Sequence, residues 1–319
     1  MATAAVRRAS EVCRRVQAGL SAGDSRRKAD RSPVTIADFA SQALICAALL
    51  EAFPEDRVVG EESASALRED ADLRGRVVAL VSEALGEPVG DVRVLGWIDR
   101  GTAERPARGR FWTVDPIDGT KGFLRGQQYA VALARLQDDR VELGVLGCPN
   151  LESDGATGVI VRAERGRGTE YLPLDGAAAP RRAATRRLDD STELRLVESV
   201  EPSHSNHEAV RRIAERLGLK SPSLRLDSQA KYAAVALGLA DVYLRLPGRS
   251  SWREWIWDHA AGALVVEEAG GTVSDARGRA LDFGHGRWLE DCRGVVAAPR
   301  GLHSTVVAAA SEEVARRLE

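Results

Sequence analysis

The stretch Trp112-Thr-Val-Asp115-Pro116-Ile117-Asp118-Gly119-Thr120-Lys-Gly-Phe123 is the most informative part of this chain. It places two carboxylates three residues apart around a proline, and a glycine and a hydroxyl follow at once. Pro116 fixes its own φ and restricts Asp115 to extended geometry, so both carboxylates can turn toward one point. A backbone carbonyl at Ile117 can add a further hard oxygen, and Gly119 lets the backbone approach a ligand closely. We therefore expect a strand over 111–114 that ends in a metal-binding turn.

Two other acidic segments accompany this stretch, Gly60-Glu61-Glu62-Ser63 upstream and Trp257-Asp258-His259-Ala-Ala-Gly262 downstream. Each segment has a simpler explanation, because paired acids suit the first turn of a helix and an aspartate suits a helix cap. An Asp-Pro turn followed by an Asp cap would likewise explain 115–118. Carboxylates from three distant segments would, if they converge, form a site for hard divalent cations such as Mg²⁺.

The overall composition excludes several classes of partner. The chain has 319 residues, 44% of them hydrophobic, which is enough for one large domain or two medium ones. Its 45 basic and 47 acidic residues give a net charge of −2, so no general attraction to nucleic acid or anionic membranes is expected. No apolar run of about 18 residues indicates a transmembrane span. We expect a monomer with a small-molecule substrate, and neither a nucleic-acid nor a membrane partner.

The cysteines and the N-terminus bear on the compartment. Four widely spaced cysteines predict free thiols in a reducing compartment, with a redox-sensing disulfide as the alternative. The N-terminal residues lack the apolar core of a secretory signal. We expect a cytoplasmic protein. The somewhat Arg-rich start leaves an organelle, such as a plastid or mitochondrion, as the alternative.

Periodicity and turn residues predict a mixture of helices and strands. A Gly/Ala-rich, basic segment near 174–187 suggests a boundary between subdomains 1–185 and 186–319. Without a regular βαβ period, the mixture predicts a layered α/β or α+β fold. We expect helices over 3–20, 36–52, 64–86, 206–217, 228–238, from 257 and over 301–318, a hairpin of 129–136 with 141–146, and further strands at 58–59, 194–199, 241–246, near 272 and near 295.

The acidic motifs, taken together with other strings, resemble the inositol monophosphatase superfamily of lithium-sensitive, Mg²⁺-dependent phosphatases. Within that superfamily the chain is most similar to the 3′(2′),5′-bisphosphate nucleotidases, from about residue 5 to the C-terminus. The resemblance implies the layered αβαβα sugar-phosphatase fold. It is carried by Ser32-Pro-Val-Thr-Ile-Ala-Asp38, Val59-Gly-Glu-Glu-Ser63, Asp115-Pro-Ile-Asp-Gly-Thr-Lys-Gly-Phe-Leu-Arg-Gly126, Gly147-Cys-Pro-Asn150, Asp227-Ser-Gln-Ala-Lys-Tyr232, Ala240-Asp-Val-Tyr-Leu-Arg-Leu-Pro247 and Ile256-Trp-Asp-His-Ala-Ala-Gly262.

The resemblance also implies roles for individual residues. Asp38 and Thr120 would orient and deprotonate the attacking water, although Asp38 alone would pass as part of an N-cap in Thr35-Ile-Ala-Asp38. His259 has a supporting or core role as its default. Two to three Mg²⁺ ions would be held by Glu61, Asp115, Asp118, Asp258 and the carbonyl of Ile117.

Substrate contacts are implied mainly in the second half of the chain. Lys231 and Arg245 would suit a phosphate that is not cleaved, Arg245 through a bidentate fork. His207 is a rival for His204, and Trp255 stands where the family often has a basic residue. The complete set of implied substrate contacts is Thr120, His204, Ser228, Lys231, Arg245 and Asp258.

The activity implied by the resemblance is removal of the 3′-phosphate from adenosine 3′,5′-bisphosphate (PAP), which gives AMP and phosphate within sulfur assimilation. The phosphosulfate PAPS is a second candidate substrate. One alternative keeps the chemistry but acts on inositol phosphates, as inositol polyphosphate 1-phosphatases and inositol monophosphatases do. Another alternative is a PAP-binding sensor without catalysis. Relative kcat/KM separates the two enzymes, and binding without turnover would indicate the sensor.

Overall fold

The computed structural model describes residues 1–20, 35–201, 206–246 and 253–315. Helices and strands are mixed along the chain, and short 3₁₀ turns lie at Ser191–Glu193 and Ile256–Asp258. The helices of the described part are α1 Ala2–Gly19, α2 Ile36–Ala52, α3 Ser65–Glu69, α4 Ala71–Leu85, α5 Asp91–Asp99, α6 Thr120–Leu124, α7 His207–Arg216, α8 Ala230–Ala236, α9 Ala260–Glu268 and α10 His303–Ala315.

Seven strands form the first sheet in sequential order, β1 to β7. β1 and β2 are parallel, and every later pair is antiparallel. The strands are β1 Arg57–Gly60, β2 Arg110–Asp118, β3 Ala130–Gln137, β4 Arg140–Ser153, β5 Ala156–Glu164, β6 Gly168–Pro173 and β7 Arg181–Ala183.

A second sheet has five strands in the order β12-β14-β10-β8-β9, and a separate two-stranded ribbon pairs β11 with β13. β10, β8 and β9 run parallel, whereas β14 is antiparallel to both of its neighbours. The strands are β8 Leu196–Glu198, β9 Leu224–Arg225, β10 Val242–Arg245, β11 Glu254–Trp255, β12 Gly271–Ser274, β13 Trp288–Leu289 and β14 Val295–Pro299.

The elements stack into five layers, with α1 and α2, the first sheet, α8 and α9, the second sheet, and finally α7 and α10. Three buried apolar clusters fill the spaces between these layers. Alternate residues of β3 enter different clusters, Ala132 on one face and Val131 on the other, as a strand between two helical layers requires. The inner helix α9 is buried along residues 260–266, and this stretch is apolar on all sides, as a helix enclosed between two sheets requires. The predicted αβαβα layering is confirmed.

Most predicted helices and strands lie where the sequence places them, but the helix over 64–86 is wrong. The chain breaks at Asp70, whose side chain accepts a hydrogen bond from the Leu73 amide at 2.9 Å and starts α4 afresh. The short α5 and the strands β5 and β6 were not predicted. The first sheet ends at Ala183 and the second begins at Leu196. The 185/186 boundary stays a prediction, because one apolar cluster includes residues from both sides of it.

All four cysteines are free thiols, in agreement with the sequence-based expectation. Burial raises the pKa of Cys46 to about 12, with a smaller opposing effect from Arg100, and burial also raises the pKa of Cys292 to about 12. These thiols therefore stay protonated near neutral pH. Among the helices of the described ranges, none combines the length and the apolar character needed to cross a membrane.

Candidate active site

The acidic motif lies at a bulge in β2. Asp115 pairs with Ala132 and Asp118 with Ala130, so β2 holds one residue more than β3 over this interval. Pro116 has no amide hydrogen for the ladder, and the interruption accommodates it. The Ser41 hydroxyl donates to the Pro116 carbonyl at 2.9 Å and attaches the bulge to α2. β2 therefore continues through Asp118, beyond the predicted end at residue 114.

Residues from both halves of the chain meet in one pocket next to this bulge. Of the predicted site residues in the described ranges, only Asp38 is missing from its lining. The pocket is also lined by residues that carried no predicted role, including Lys121, Glu201 and Trp255. The predicted residues that line it are Glu61, Asp115, Ile117, Asp118, Thr120, Ser228, Lys231, Arg245 and Asp258.

The carboxylates of this pocket repel one another. Burial, followed by the charges of Glu62 and Asp258, raises the pKa of Glu61 well above its ordinary value. Glu61 is nevertheless exposed to solvent, which screens these effects, and it lines the pocket beside the other acids. Burial and the charges of Glu61 and Asp118 raise the pKa of Asp115 in the same direction. The pKa of Asp258 rises to about 8, mainly through burial and against the opposing charge of Arg245. At neutral pH such a cluster is stabilised either by protonation of some of its acids or by added positive charge.

A hard divalent cation fits this arrangement. Asp115 is buried, and its Oδ1 atom has no hydrogen-bond partner among the described residues. A buried carboxylate oxygen without a partner is costly unless a ligand satisfies it. The donors are all oxygens, the type that Mg²⁺ prefers. The pocket thus has the charge, the donor type and an unsatisfied atom expected of a magnesium site.

The turn after β2 depends on a glycine. Gly119 has φ 85°, a left-handed conformation, and it precedes the short helix α6. A Cβ atom there would lie 3.0 Å from the Cβ of Ser228. Ser228 itself has φ 68°, and the next amide, that of Gln229, donates to Asp118 Oδ2 at 2.6 Å. This close contact joins the Asp118 turn to the segment that carries Ser228 and Lys231.

Gln229 extends this connection to the third acidic segment. Its buried side chain donates to the Trp257 carbonyl at 2.8 Å and accepts from the Gly262 amide at 3.0 Å. Asp258 lies between these two attachment points, in the 3₁₀ turn before α9. The N-cap position of α9 is His259, so the cap explanation for Asp258 is wrong.

The segment around Glu61 is held by one glutamine. Gln42 of α2 accepts from the Glu62 amide at 3.0 Å and donates to the Glu62 carbonyl at 2.7 Å. It also donates to the Ile98 carbonyl at 2.8 Å. A Cβ atom at Gly60 would lie 2.8 Å from Gln42 Oε1, and one at Gly101 would lie 2.3 Å from Gln42 Nε2. Since α3 begins only at Ser65, Glu61 lies outside a helical first turn.

A buried ionic network supports the opposite wall, and its central member, Glu254, was not predicted. Glu254 Oε1 accepts from Arg245 Nε at 2.9 Å, and Glu254 Oε2 lies 2.9 Å from Arg245 Nη2. This fork holds the guanidinium 3.6 Å from the Asp258 carboxylate. Burial lowers the pKa of His259, and the neutral ring donates from Nε2 to Glu254 and accepts from the Tyr232 hydroxyl at Nδ1. His259 is thus a supporting core residue, as expected.

Lys231 is the buried cation of the pocket. Only 2% of the residue is exposed, its Nζ lies 3.3 Å from the Leu226 carbonyl, and it stands 5.2 Å over the Tyr243 ring. Burial lowers its pKa to about 8, against the opposing charge of Asp118. An ammonium group that is this poorly solvated gains from an anionic ligand.

A cluster of four charged side chains also lies at the edge of the pocket. Arg125 bridges Asp227 at 2.6 Å and Glu201 at 2.5 Å, and Lys121 Nζ lies 3.3 Å from Glu201. The sequence predicted no role for Lys121, Arg125 or Asp227, although all three lie inside motifs. Glu201 was not predicted, because it lies outside every motif and has no distinguishing local pattern.

Asp38 and His207, the rival candidate for His204, do not line this pocket. Asp38 is buried in the first turn of α2 and accepts from the Thr35 amide at 2.8 Å and from the Thr35 hydroxyl at 2.7 Å, so the capping interaction is present. Its charge nevertheless contributes to the raised pKa of Glu62, after burial. His207 Nε2 lies 2.9 Å from the Ser199 carbonyl. His204 lies outside the described residues, as do residues 32–34 of the motif that contains Asp38.

Comparison with known proteins extends over nearly the whole chain. The family model described as the inositol monophosphatase family matches residues 1–315. A 3′(2′),5′-bisphosphate nucleotidase of Emericella nidulans is 44% identical over 311 residues, which cover 88% of each chain. The same-named protein of Schizosaccharomyces pombe is 41% identical and covers 97% of this chain and 93% of its own.

Solved structures show the same architecture. The extragenic suppressor protein suhB of Bartonella henselae superposes with a TM-score of 0.65 and covers 97% of this chain and 96% of its own. At 21% sequence identity, this similarity concerns the fold alone. Taken with the family match and the two nucleotidases, it shows that this chain belongs to the inositol monophosphatase family.

Proposed function

We propose that this chain is a Mg²⁺-dependent phosphatase that removes the 3′-phosphate of PAP to give AMP and inorganic phosphate. The observation that supports this most directly is one pocket in which the acidic cluster of Glu61, Asp115 and Asp118 faces the cations Lys231 and Arg245. An acidic cluster suits metal-assisted attack on a phosphate ester, and a separate pair of cations suits a second phosphate. The relatives named 3′(2′),5′-bisphosphate nucleotidases support the same substrate.

The family is metal-dependent, generally on Mg²⁺. When bound, Mg²⁺ supplies charge stabilisation at the phosphate oxygens and lowers the pKa of a coordinated water. In our proposal two to three ions are held by the carboxylates of Glu61, Asp115, Asp118 and Asp258 together with the carbonyl of Ile117.

Thr120 and Asp38 would orient and deprotonate the attacking water. The Thr120 hydroxyl donates to the Ile117 carbonyl at 3.2 Å, so its oxygen can accept a hydrogen bond from a water in the pocket. Asp38 is the proposed general base. Two hydrogen bonds from Thr35 fix its carboxylate in place.

The remaining contacts would recognise the phosphate that is not cleaved. Lys231 and Arg245 supply two buried positive charges, and Glu254 fixes the plane of the guanidinium. Ser228, Thr120 and Asp258 line the same pocket and are the other proposed substrate contacts. His204 belongs to the proposed set through its motif alone. A nucleotide with two phosphates would place one at the Mg²⁺ ions held by the acidic part and the other at the basic part of the pocket, and PAPS shares this feature.

Phosphate release from a substrate panel tests the proposal. Purified protein with Mg²⁺ should hydrolyse PAP, with PAPS as a second substrate, and kcat/KM for PAP should exceed that for inositol 1,4-bisphosphate. A chelator should abolish turnover, and millimolar Li⁺ should inhibit it. A higher kcat/KM for the inositol phosphate would assign the chain to the other substrate class, and binding of PAP without turnover would make it a sensor.

A further inference from the structure

An exposed aromatic side chain that has no role in the proposed hydrolysis lines the pocket. Trp255 is 38% exposed, which is unusual for a tryptophan, and it lines the same pocket as Lys231 and Arg245. Other large exposed hydrophobic residues, such as Leu224 and Leu239, are absent from that lining.

The indole of Trp255 is held firmly from behind. It stacks on Trp257 with centroids 4.9 Å apart and planes 7° apart, and it meets Trp288 at 5.6 Å and 64°. Trp255 and Trp288 are a cross-strand pair in the β11–β13 ribbon. Arg287 lies 4.9 Å over Trp257, and Arg253 lies 4.7 Å over Trp288. These contacts fix the ring orientation before any ligand binds, so little side-chain entropy is lost on binding.

We propose that Trp255 is a stacking platform for the nucleobase of the substrate, and that it selects nucleotides over phosphorylated cyclitols. This inference rests on the proposed function and specifies its substrate class. Lys231 and Arg245 supply the anion contacts, and Trp255 offers a flat apolar surface on the same pocket. Nucleobases carry a π face that stacks on aromatic side chains, whereas a cyclitol ring has no such face. A ligand that uses both parts of the pocket therefore carries a phosphate and a base.

Binding of AMP and of ribose 5-phosphate, measured by calorimetry, tests this directly because the two probes differ only in the base. Wild-type protein should bind AMP more tightly than ribose 5-phosphate. Trp255→Ala and Trp255→Leu should weaken AMP on the order of tenfold, as loss of one base–aromatic stack does, and leave ribose 5-phosphate within about twofold. Trp255→Phe should keep most of the AMP affinity. Leu239→Ala, which trims a side chain that is 37% exposed and outside the pocket, should change neither affinity.

Several results would overturn the stacking role. They are equal losses for both probes, full AMP affinity in Trp255→Leu, or wild-type protein that does not distinguish AMP from ribose 5-phosphate. Failure of the proposed function looks different. If AMP binding depends on Trp255 but PAP releases no phosphate, then the platform stands and the hydrolase does not. If PAP is hydrolysed while Trp255→Ala weakens both probes alike, then the hydrolase stands and the stacking platform does not.

Discussion

At the scale of single residues, one side chain can serve as a helix cap and still belong to a functional site. Asp38 forms a complete capping box with Thr35 and also adds its charge to the environment of Glu62. Local sequence predicts the cap, because caps depend only on neighbours within one turn. The catalytic assignment of Asp38 depends on residues far along the chain and came from the family resemblance, and it stays a prediction.

Replacing Asp118 with asparagine should lower phosphate release by orders of magnitude, because it removes one negative charge from the proposed metal cluster. The fold should survive, since the new amide oxygen can still accept from the Gln229 amide. In chelator the change in stability should be small, because the charge of Asp118 repels Asp115 but attracts the buried Lys231. The shift in Tm on adding Mg²⁺ should shrink.

Asp189 is exposed and lies outside the pocket. Asp189→Asn is therefore the matched control for this experiment, and it should behave as wild type in both assays. Wild-type turnover in Asp118→Asn would contradict the metal assignment.

Gly119→Ala should cost more stability than a left-handed glycine normally does. The conformation alone costs about 1–2 kcal/mol for an alanine. The added methyl would also press on Ser228 at 3.0 Å, so both Tm and activity should fall. Gly126→Ala is the comparison, because Gly126 has φ 70° but no atom within 4 Å of the added Cβ. Equal losses of Tm in the two variants would show that the contact with Ser228 adds nothing.

At the scale of elements, most boundaries follow from local rules, and the exceptions have identifiable causes. Helix α2 begins and ends where its cap and Pro54 predict. The predicted helix over 64–86 is two helices because Asp70 caps the second one, and apolar periodicity alone does not reveal such a break. The continuation of β2 through Asp118 depends on pairing with β3, a partner that local sequence does not specify.

Gln229 is the element-scale contact whose loss should be measurable. In Gln229→Leu, the buried carbonyl of Trp257 and the buried amide of Gly262 lose their side-chain partner, at about 1–3 kcal/mol for each group. The free energy of unfolding, measured with urea, should fall accordingly. Activity should fall with it, since Asp258 lies on the segment that is released. Gln137→Leu at an exposed strand end should change neither quantity, and an unchanged urea midpoint for Gln229→Leu would refute the bridging role.

At the scale of the whole molecule, the convergence of the acidic segments is what sequence alone could least specify. The layer order follows from the family resemblance and from apolar patterning. The actual meeting of Glu61, Asp115 and Asp258 requires β1 and β2 to pair in parallel and the turn before α9 to lie against them. Glu201 and Glu254 escaped attention because their roles arise only from partners that are distant in sequence or hidden inside the pocket wall.

Global stability should depend on pH through His303, the first residue of α10, which contacts Ser274 of β12 in the second sheet. The Ser274 hydroxyl donates to the Asp275 carbonyl, so its oxygen accepts from His303 Nε2 at 3.0 Å. Burial lowers the pKa of His303 below its usual value. The unfolded chain therefore takes up the proton first, and this contribution is complete above about pH 6.5 and is lost as the pH falls below it.

His303→Gln should consequently show a smaller drop in Tm between pH 7 and pH 5 than wild type, at constant ionic strength and in chelator. An identical drop in both proteins would exclude His303 as a contributor to the acid sensitivity.

The glutamine that holds the Glu62 backbone has an evolutionary consequence. Gln42 occupies the space that a side chain at Gly60 or Gly101 would need, and three backbone groups depend on its amide. A side chain at Gly60 or Gly101 is therefore disfavoured while Gln42 is present, and loss of Gln42 leaves three backbone groups without their partner. Among descendants of this chain, we expect these three residues either to be conserved together or to be substituted together.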